Sequence, residues 1–360
     1  MKKRWYLFVG VIVMSIGFFN SCATQSEKFQ NTEIDYKAGM GKVVEMLNAY
    51  IRTERAAPVP KVPIPLQSIT GKVLADNEGR PTVYRLGHSS VLIHLDGDYV
   101  LTDPVFSERA SPFQWMGPKR FHPLPLSLQD LPALKAVIIS HDHYDHLDKA
   151  SVRTLDEKVE RFIVPTGVGR HLQSWGVDAG KITELAWWQS FSLGSLQFTA
   201  TPAQHFSGRG LADRDKTLWA SWVIGGRDAR IFFSGDSGYF GGFREIGERY
   251  GPFDLTLIET GAYNDLWSEI HMQPEESVQA HLDLRGRAII PIHNSTFDLA
   301  LHDWFEPLER VQAAAESQGV TLLTPIVGAP VNVVTPLATR TWWREMVTGD
   351  SGELAVEPSL

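Results

Sequence analysis

The stretch "AVIISHDHYDHLD", Ala136 to Asp148, decides the fold. It begins as an apolar run and then places three histidines and three aspartates within nine residues. Imidazole nitrogen and carboxylate oxygen are the ligands that suit zinc and its first-row neighbours. Residues two apart in an extended segment point the same way, so His141 and His143 can bind one ion, while Asp145 and His146 can reach a second. The run therefore predicts a metal site at the end of a buried strand; a polar surface loop is the alternative.

Four side chains do not complete two metal sites, so further ligands are expected elsewhere in the chain. Three other apolar runs of strand length are each followed by a ligand-type residue: His205 after "SLQFTATPAQ", Asp236 after "ARIFFSG" and His293 after "RAIIPI". Each of the three, taken alone, is as well explained as a loop residue. Because all three follow strands, we expect them to meet the first cluster at one edge of a sheet.

Several longer segments carry a family resemblance. The order H-x-H-x-D-H, a lone histidine, G-D-S-G and a late histidine resembles the metallo-β-lactamase superfamily. The segments "LGHSSVLI", "TDPVFSERASP", "GPKRFHPLPL", "IETGAYN" and "HMQPEESVQAHLDL" resemble the branch that contains N-acyl-phosphatidylethanolamine-hydrolysing phospholipase D and its bacterial relatives. The similarity runs from about residue 66 to 335. It implies an α/β fold, a four-layer αββα sandwich, with two zinc ions at one edge.

The resemblance also implies how the ligands divide between the ions. The first zinc would be held by His141, His143 and His205. The second would be held by Asp145, His146 and His293. Asp236 would bridge the two ions.

The implied chemistry is hydrolysis. Two neighbouring zinc ions lower the pKa of a bridging water, and the hydroxide attacks a phosphorus or carbonyl carbon. His271 resembles a family position near the reacting group, where it would protonate the leaving group or orient the substrate. A loop histidine without a role is the alternative. His88 and Asp103 also match family positions, and Asp103 is expected to orient a ligand histidine. The predicted catalytic residues are Asp145, Asp236 and His271.

The sequence predicts four parts. Residues 1–22 have a basic start followed by an apolar run and end at Cys22, the only cysteine, so they resemble a lipoprotein signal peptide. An uncleaved anchor or an ordinary signal peptide is the alternative. Residues 23–65 are expected to contain a polar tether, an amphipathic helix near 36–55 and a Pro-rich connector. Residues 66–345 form the predicted hydrolase domain, and 346–360 a disordered tail.

The location and partners follow from these parts. We predict a lipoprotein of the bacterial cell envelope, held in the membrane through lipidated Cys22 and facing the periplasm or the exterior. The chain has 34 Lys and Arg residues against 42 Asp and Glu residues, a net charge of −8. No basic patch dominates, so nucleic acid is not an expected partner.

The leading interpretation is a zinc-dependent hydrolase of a phosphodiester, with a phospholipid of the N-acyl-phosphatidylethanolamine type as the suggested substrate. One alternative is a dizinc esterase or lactonase that attacks a carbonyl, because the fold hosts both chemistries. A second alternative is a membrane-anchored, non-catalytic protein that binds metal for stability. The complete ligand set favours an enzyme, since catalytic sites keep a position open.

Overall fold

The structure is a computed structural model that describes residues 28–36, 40–210 and 212–348. The predicted signal peptide, Cys22 and residues 349–360 of the predicted tail lie outside these ranges. The strands, in chain order, are β1 (Thr82–Gly87), β2 (Ser90–Leu95), β3 (Asp98–Thr102), β4 (Leu134–Ile138), β5 (Val159–Pro165), β6 (Ile182–Leu185), β7 (Ser190–Leu193), β8 (Leu196–Thr201), β9 (Ser221–Gly225), β10 (Arg230–Phe233), β11 (Leu255–Glu259), β12 (Ile289–Ile292) and β13 (Pro330–Asn332). The helices are α1 (Met40–Arg52), α2 (Gly71–Asp76), α3 (Lys149–Leu155), α4 (Gly169–Ser174), α5 (Gly242–Tyr250), α6 (Pro274–Asp283), α7 (Glu306–Gln318) and α8 (Trp342–Thr348).

Local sequence explains the hairpin formed by β2 and β3. β2 and β3 pair antiparallel, with Leu95 opposite Asp98. The two residues between them, Asp96 and Gly97, both have positive φ angles, 55° and 89°. An Asp-Gly pair suits this turn because glycine adopts positive φ without steric cost and aspartate tolerates it.

Two mixed sheets pack face to face. The first has seven strands in the order β13-β1-β2-β3-β4-β5-β6, and the second has six in the order β12-β11-β10-β9-β8-β7. Side chains of both sheets form one core between them, which includes Ile93, Ile138, Phe198, Trp222 and Phe233. Neighbouring residues on the same strands point the other way, so the strands are buried on both faces. This double burial explains why they read as continuous apolar runs in the sequence.

Helices cover the outer face of each sheet. Leu74 of α2, Val152 of α3 and Leu172 of α4 pack on the first sheet. Phe243 of α5 and Ala280 of α6 pack on the second. The layers are therefore helix, sheet, sheet, helix, and the predicted αββα sandwich is confirmed.

Two parts of the chain outside the sandwich differ from expectation: residues 28–36 and the end of α8. Residues 28–36, which the sequence placed in a polar tether, make hydrogen bonds to the sandwich, such as the one from Phe29 N to Asp215 O at 2.9 Å. Helix α1 packs on the domain, where Tyr50 stacks on Trp267 and donates to Leu299 O at 3.0 Å. At the other end, α8 continues to Thr348, into the predicted tail, because Trp343 is fully buried and anchors the helix. None of the helices in the described ranges has the length and apolar character needed to cross a bilayer.

One side chain ties the sheets together next to the HxHxDH run. Trp222 of β9 is fully buried, and its indole N–H donates to Ile139 O, just beyond β4, at 3.0 Å. Trp222→Phe should lower the free energy of unfolding by about 1–3 kcal/mol, because a buried carbonyl loses its partner. Urea denaturation measures the change. Trp115→Ala, at a side chain that is 75% exposed, is the matched control and should cost less than about 0.5 kcal/mol. Equal losses for the two variants would contradict this role.

Candidate metal centre

All seven side chains predicted as metal ligands lie together at one edge of the sandwich. Each stands on a loop that leaves a buried strand. His141, His143, Asp145 and His146 follow β4, His205 follows β8, Asp236 follows β10 and His293 follows β12. The arrangement follows from the topology, because these strand ends open on the same edge of the two sheets.

Three histidines form the first group. His141 Nε2 lies 2.8 Å from His143 Nδ1, and His205 Nε2 lies 3.2 Å from the same nitrogen. The far nitrogen of His205, Nδ1, faces the Ile270 carbonyl oxygen at 3.0 Å. An acceptor at Nδ1 places the ring proton there and leaves Nε2 with a free lone pair.

A buried carboxylate orients two of the histidines. Asp103 Oδ2 accepts from His146 Nδ1 at 2.7 Å and from Ser140 Oγ at 2.5 Å. Since that hydroxyl donates to Asp103, it accepts from His141 Nδ1, which lies 2.9 Å away. Asp103 is thus placed where the sequence analysis expected it, and both histidines turn their Nε2 atoms toward the centre.

The second group surrounds Asp236. Asp145 Oδ2 lies 3.3 Å from His293 Nε2 and 3.5 Å from His146 Nε2. Asp236 Oδ2 lies 3.1 Å from His146 Nε2 and 3.2 Å from His293 Nε2. The same oxygen is 3.8 Å from His141 Nε2 and from His205 Nε2, so it stands between the two groups.

These groups fit metal coordination. Unprotonated nitrogens within 2.8–3.2 Å of one another repel unless a cation lies among them. Burial, together with neighbouring imidazoles, holds the pKa of His141 well below its usual value, so its ring is in the neutral form that a metal needs. Asp236 is 3% exposed, and its Oδ1 atom has no hydrogen-bond partner among the described residues. Imidazole and carboxylate donors of this kind suit zinc and similar ions.

The charges in the second group also fit a bound cation. Burial lowers the pKa of His293, but the carboxylates of Asp236 and Asp145 outweigh it and raise the pKa to about 10. Burial likewise opposes charging of His146, and the same two carboxylates raise its pKa well above the ordinary value. The buried carboxylates thus favour positive charge at this point, carried by protons or by a cation.

His271 is the third predicted catalytic residue, and the structure places its ring 5.0 Å from that of His205. His271 Nδ1 is in close hydrogen-bond contact with Glu259 Oε1. Glu259 is fully buried, accepts from Ser237 N at 2.8 Å through Oε2, and has a raised pKa because of its burial. The sequence analysis missed Glu259, although it ends β11 and so carries the strand-end signal that found the other residues.

His88 also lies at this centre, beside Asp145 and His293. Its Nε2 atom lies 3.1 Å from Asp145 Oδ2, and its ring lies 3.9 Å from that of His293. The two histidines are also joined through the backbone, since His293 N donates to His88 O at 3.1 Å. His88, Asp103 and His293 all have positive φ angles, 52°, 33° and 64°, which side-chain-bearing residues rarely adopt.

Two arginines beside the centre bind backbone carbonyl groups. Arg209 donates to the carbonyl oxygens of Asp142 and Leu147 at 2.6 and 2.7 Å, and Arg120 is in hydrogen-bond contact with Val105 O. These guanidinium groups therefore stabilise loops beside the centre.

Known proteins resemble this chain over most of its length. The family described as "Beta-lactamase superfamily domain" matches residues 98–294. An uncharacterised protein of Mycobacterium tuberculosis is 48% identical over 289 residues, 79% of this chain and 77% of the relative. N-acyl-phosphatidylethanolamine-hydrolysing phospholipase D 1 of Caenorhabditis elegans is 36% identical over 269 residues, 71% of this chain and 75% of the relative.

Solved structures share the fold. Igni18, described as a metallo hydrolase of the archaeon Ignicoccus hospitalis, aligns with a TM-score of 0.53 and 20% identity. The alignment covers 70% of this chain and 97% of Igni18. At this identity the likeness shows a common fold.

Zinc binding should release protons. A ligand histidine must be neutral, and the raised pKa of His293, about 10, means that its ring is protonated at neutral pH without metal. Below pH 10 zinc must displace that proton, so the apparent affinity should rise about tenfold per pH unit for each proton displaced. Calorimetric titrations at pH 7 in two buffers of different ionisation enthalpy measure the number released.

Asp236→Asn tests the source of these protons. It removes one of the carboxylates that raise the pKa of His146 and His293, so fewer protons should be released for each zinc ion bound. Binding heats that do not depend on the buffer in the original protein would contradict the prediction.

Proposed function

Because the chain belongs to the metallo-β-lactamase superfamily, in the branch of the N-acyl-phosphatidylethanolamine-hydrolysing phospholipases D, we propose that this metal-dependent hydrolase cleaves a phosphodiester. The proposed substrate is a phospholipid of the N-acyl-phosphatidylethanolamine type. The observation that carries the proposal is the position of Asp236 Oδ2, within 3.8 Å of a histidine nitrogen from each of two ligand groups.

We assign two zinc ions to the two groups. His141, His143 and His205 would hold the first, Asp145, His146 and His293 the second, and Asp236 both. Zinc ions bound there would supply an acidified water and would polarise the phosphoryl oxygen. Among these ligands His143 and Asp145 are partly exposed, as is His271, so the substrate would approach over these three side chains.

The residues of the chain divide the remaining work. In the proposed hydrolysis a water oxygen would form a bond to phosphorus and release a proton, while the bond from phosphorus to the ethanolamine oxygen would break. The products are phosphatidic acid and N-acylethanolamine. His271, held through Nδ1 by Glu259, would give a proton from Nε2 to the leaving oxygen, and the buried carboxylate would stabilise the charged ring before that transfer.

The location proposed for the enzyme is the bacterial cell envelope. The basic and apolar start of the chain and the single cysteine support a lipid anchor at Cys22. An anchored hydrolase would lie beside a phospholipid substrate.

The first test is turnover. The zinc-loaded full chain, incubated with vesicles that contain N-acyl-phosphatidylethanolamine, should produce phosphatidic acid and N-acylethanolamine, identified by mass spectrometry. His143→Ala and Asp236→Asn should each lose most of the activity, because each removes a proposed ligand. No product from zinc-loaded protein would contradict the proposed substrate, and hydrolysis of lactones or esters instead would favour carbonyl chemistry.

The second test separates the leaving-group role of His271 from binding. Glu259→Gln and His271→Ala should each lower kcat on the phospholipid by about 10²–10⁴-fold, because the departing alkoxide needs a proton. On bis(4-nitrophenyl) phosphate the loss should be small, since nitrophenolate leaves without one. Zinc content of each variant, measured by mass spectrometry, is the control. Equal losses on both substrates would contradict the proton-transfer role.

A further inference from the structure

A short segment before the sandwich reaches the candidate metal centre. Residues 28–36 lie outside residues 98–294, the part matched by the superfamily description. We propose that Asn31, in this segment, is a positioning residue for His205. The proposal rests on the proposed role of His205 as a metal ligand.

The backbone of His205 needs partners that its own strand does not provide. β8 ends at Thr201, and His205 lies four residues beyond it, at 1% exposure. Buried backbone groups without partners are costly, so both its N–H and its C=O must be satisfied. The Asn31 side chain meets both requirements. Its Oδ1 accepts from His205 N at 2.9 Å, and its Nδ2 donates to His205 O at 2.8 Å.

A third hydrogen bond fixes which way the Asn31 amide points. The indole N–H of Trp219 donates to Asn31 Oδ1 at 3.0 Å and also to Ala203 O at 2.9 Å. The amide oxygen therefore faces two N–H donors, and the amide nitrogen is left toward the His205 carbonyl. In this orientation the Asn31 side chain pairs with both the backbone N–H and the backbone C=O of His205, as a neighbouring strand would.

The rest of the segment holds Asn31 in place. Phe29 N donates to Asp215 O at 2.9 Å, and Glu33 Oε1 accepts from Gly241 N at 3.0 Å. The ring of Tyr36 packs against the ring of Phe206, the residue that follows His205, with 5.7 Å between the two ring centroids. These contacts lie on both sides of Asn31, so its position does not depend on its own three hydrogen bonds alone.

The expected effect is confined to one of the two ligand groups. The ring of His205 is held by Ile270 O and its backbone by Asn31, and together they place Nε2 3.2 Å from His143 Nδ1. Without Asn31 the backbone of His205 would turn toward other donors and acceptors, and Nε2 would move with it. The group of Asp145, His146 and His293 is held by other partners, including His88 and Asp103, and should be unaffected.

The test measures metal binding as well as turnover. Metal-free full chain is titrated with Co²⁺, whose visible absorption reports each site, and with Zn²⁺ by calorimetry. Asn31→Ala should weaken one of the two binding steps by about 10–100-fold, the range for residues that orient ligands, and leave the other unchanged. Glu33→Ala, which removes an anchor of the same segment without touching His205, is the matched control and should bind both ions like the original protein.

A second variant guards against misfolding of Asn31→Ala. Asn31→Asp keeps both accepted hydrogen bonds but places a carboxylate oxygen against His205 O in place of the donating amide, so the segment should stay docked while the same binding step weakens. Unchanged affinities and spectra in both Asn31 variants would overturn the proposal, as would an equal loss in Glu33→Ala. Failure of the original protein to bind two ions would instead overturn the two-ion assignment. Site-selective weakening without phospholipid turnover would leave Asn31 in its role and remove the proposed substrate.

Discussion

The burial of Asp236 is the constraint on which the arrangement of the site depends. A carboxylate at 3% exposure is tolerated only where positive charge and hydrogen-bond donors compensate for lost water. The four histidine nitrogens around its Oδ2 atom, at 3.1–3.8 Å, meet that requirement, as protonated rings or as ligands of cations. Two more buried acids act at the same centre: Asp103 orients His146, one of these four histidines, and Glu259 holds a fifth, His271. The buried carboxylates at this edge of the sandwich thus require positive charge beside them, which protonated histidines or bound cations can provide.

The two sheets explain why the chemistry is restricted to that edge. Their strands are mainly apolar, because one face meets the opposite sheet and the other meets helices. The ligand side chains stand where strands stop, after β4 in the first sheet and after β8, β10 and β12 in the second. Trp222 of the second sheet donates a hydrogen bond to Ile139 O, two residues before His141 in the first sheet. The packing of the core is therefore linked to the position of the first histidines.

Much of this was predictable from the sequence, and the reasons for the rest are physical. Continuous apolar runs marked the central strands, and a ligand-type residue after each run marked the cluster. Spacing divided the four ligands of the HxHxDH run between two ions, but the places of His205, Asp236 and His293 came from resemblance, since spacing alone cannot say which strand ends meet. Glu259 carried the same strand-end signal, but its contact with His271 is visible only in the tertiary structure. Asn31 had no signal at all: a polar residue in a polar segment reads as solvent-exposed, and only the tertiary structure reveals its partner.

The left-handed backbone at His88, Asp103 and His293 has a consequence for evolution of the protein. Such conformations cost on the order of 1–3 kcal/mol each in residues other than glycine, and they persist where surroundings impose them. Glycine at these positions would relieve the backbone and remove the side chain that the site uses. Selection for heat resistance alone would therefore tend to draw glycine into these three positions and erode the centre. At this edge the stability of the backbone and the chemistry of the side chains therefore oppose each other.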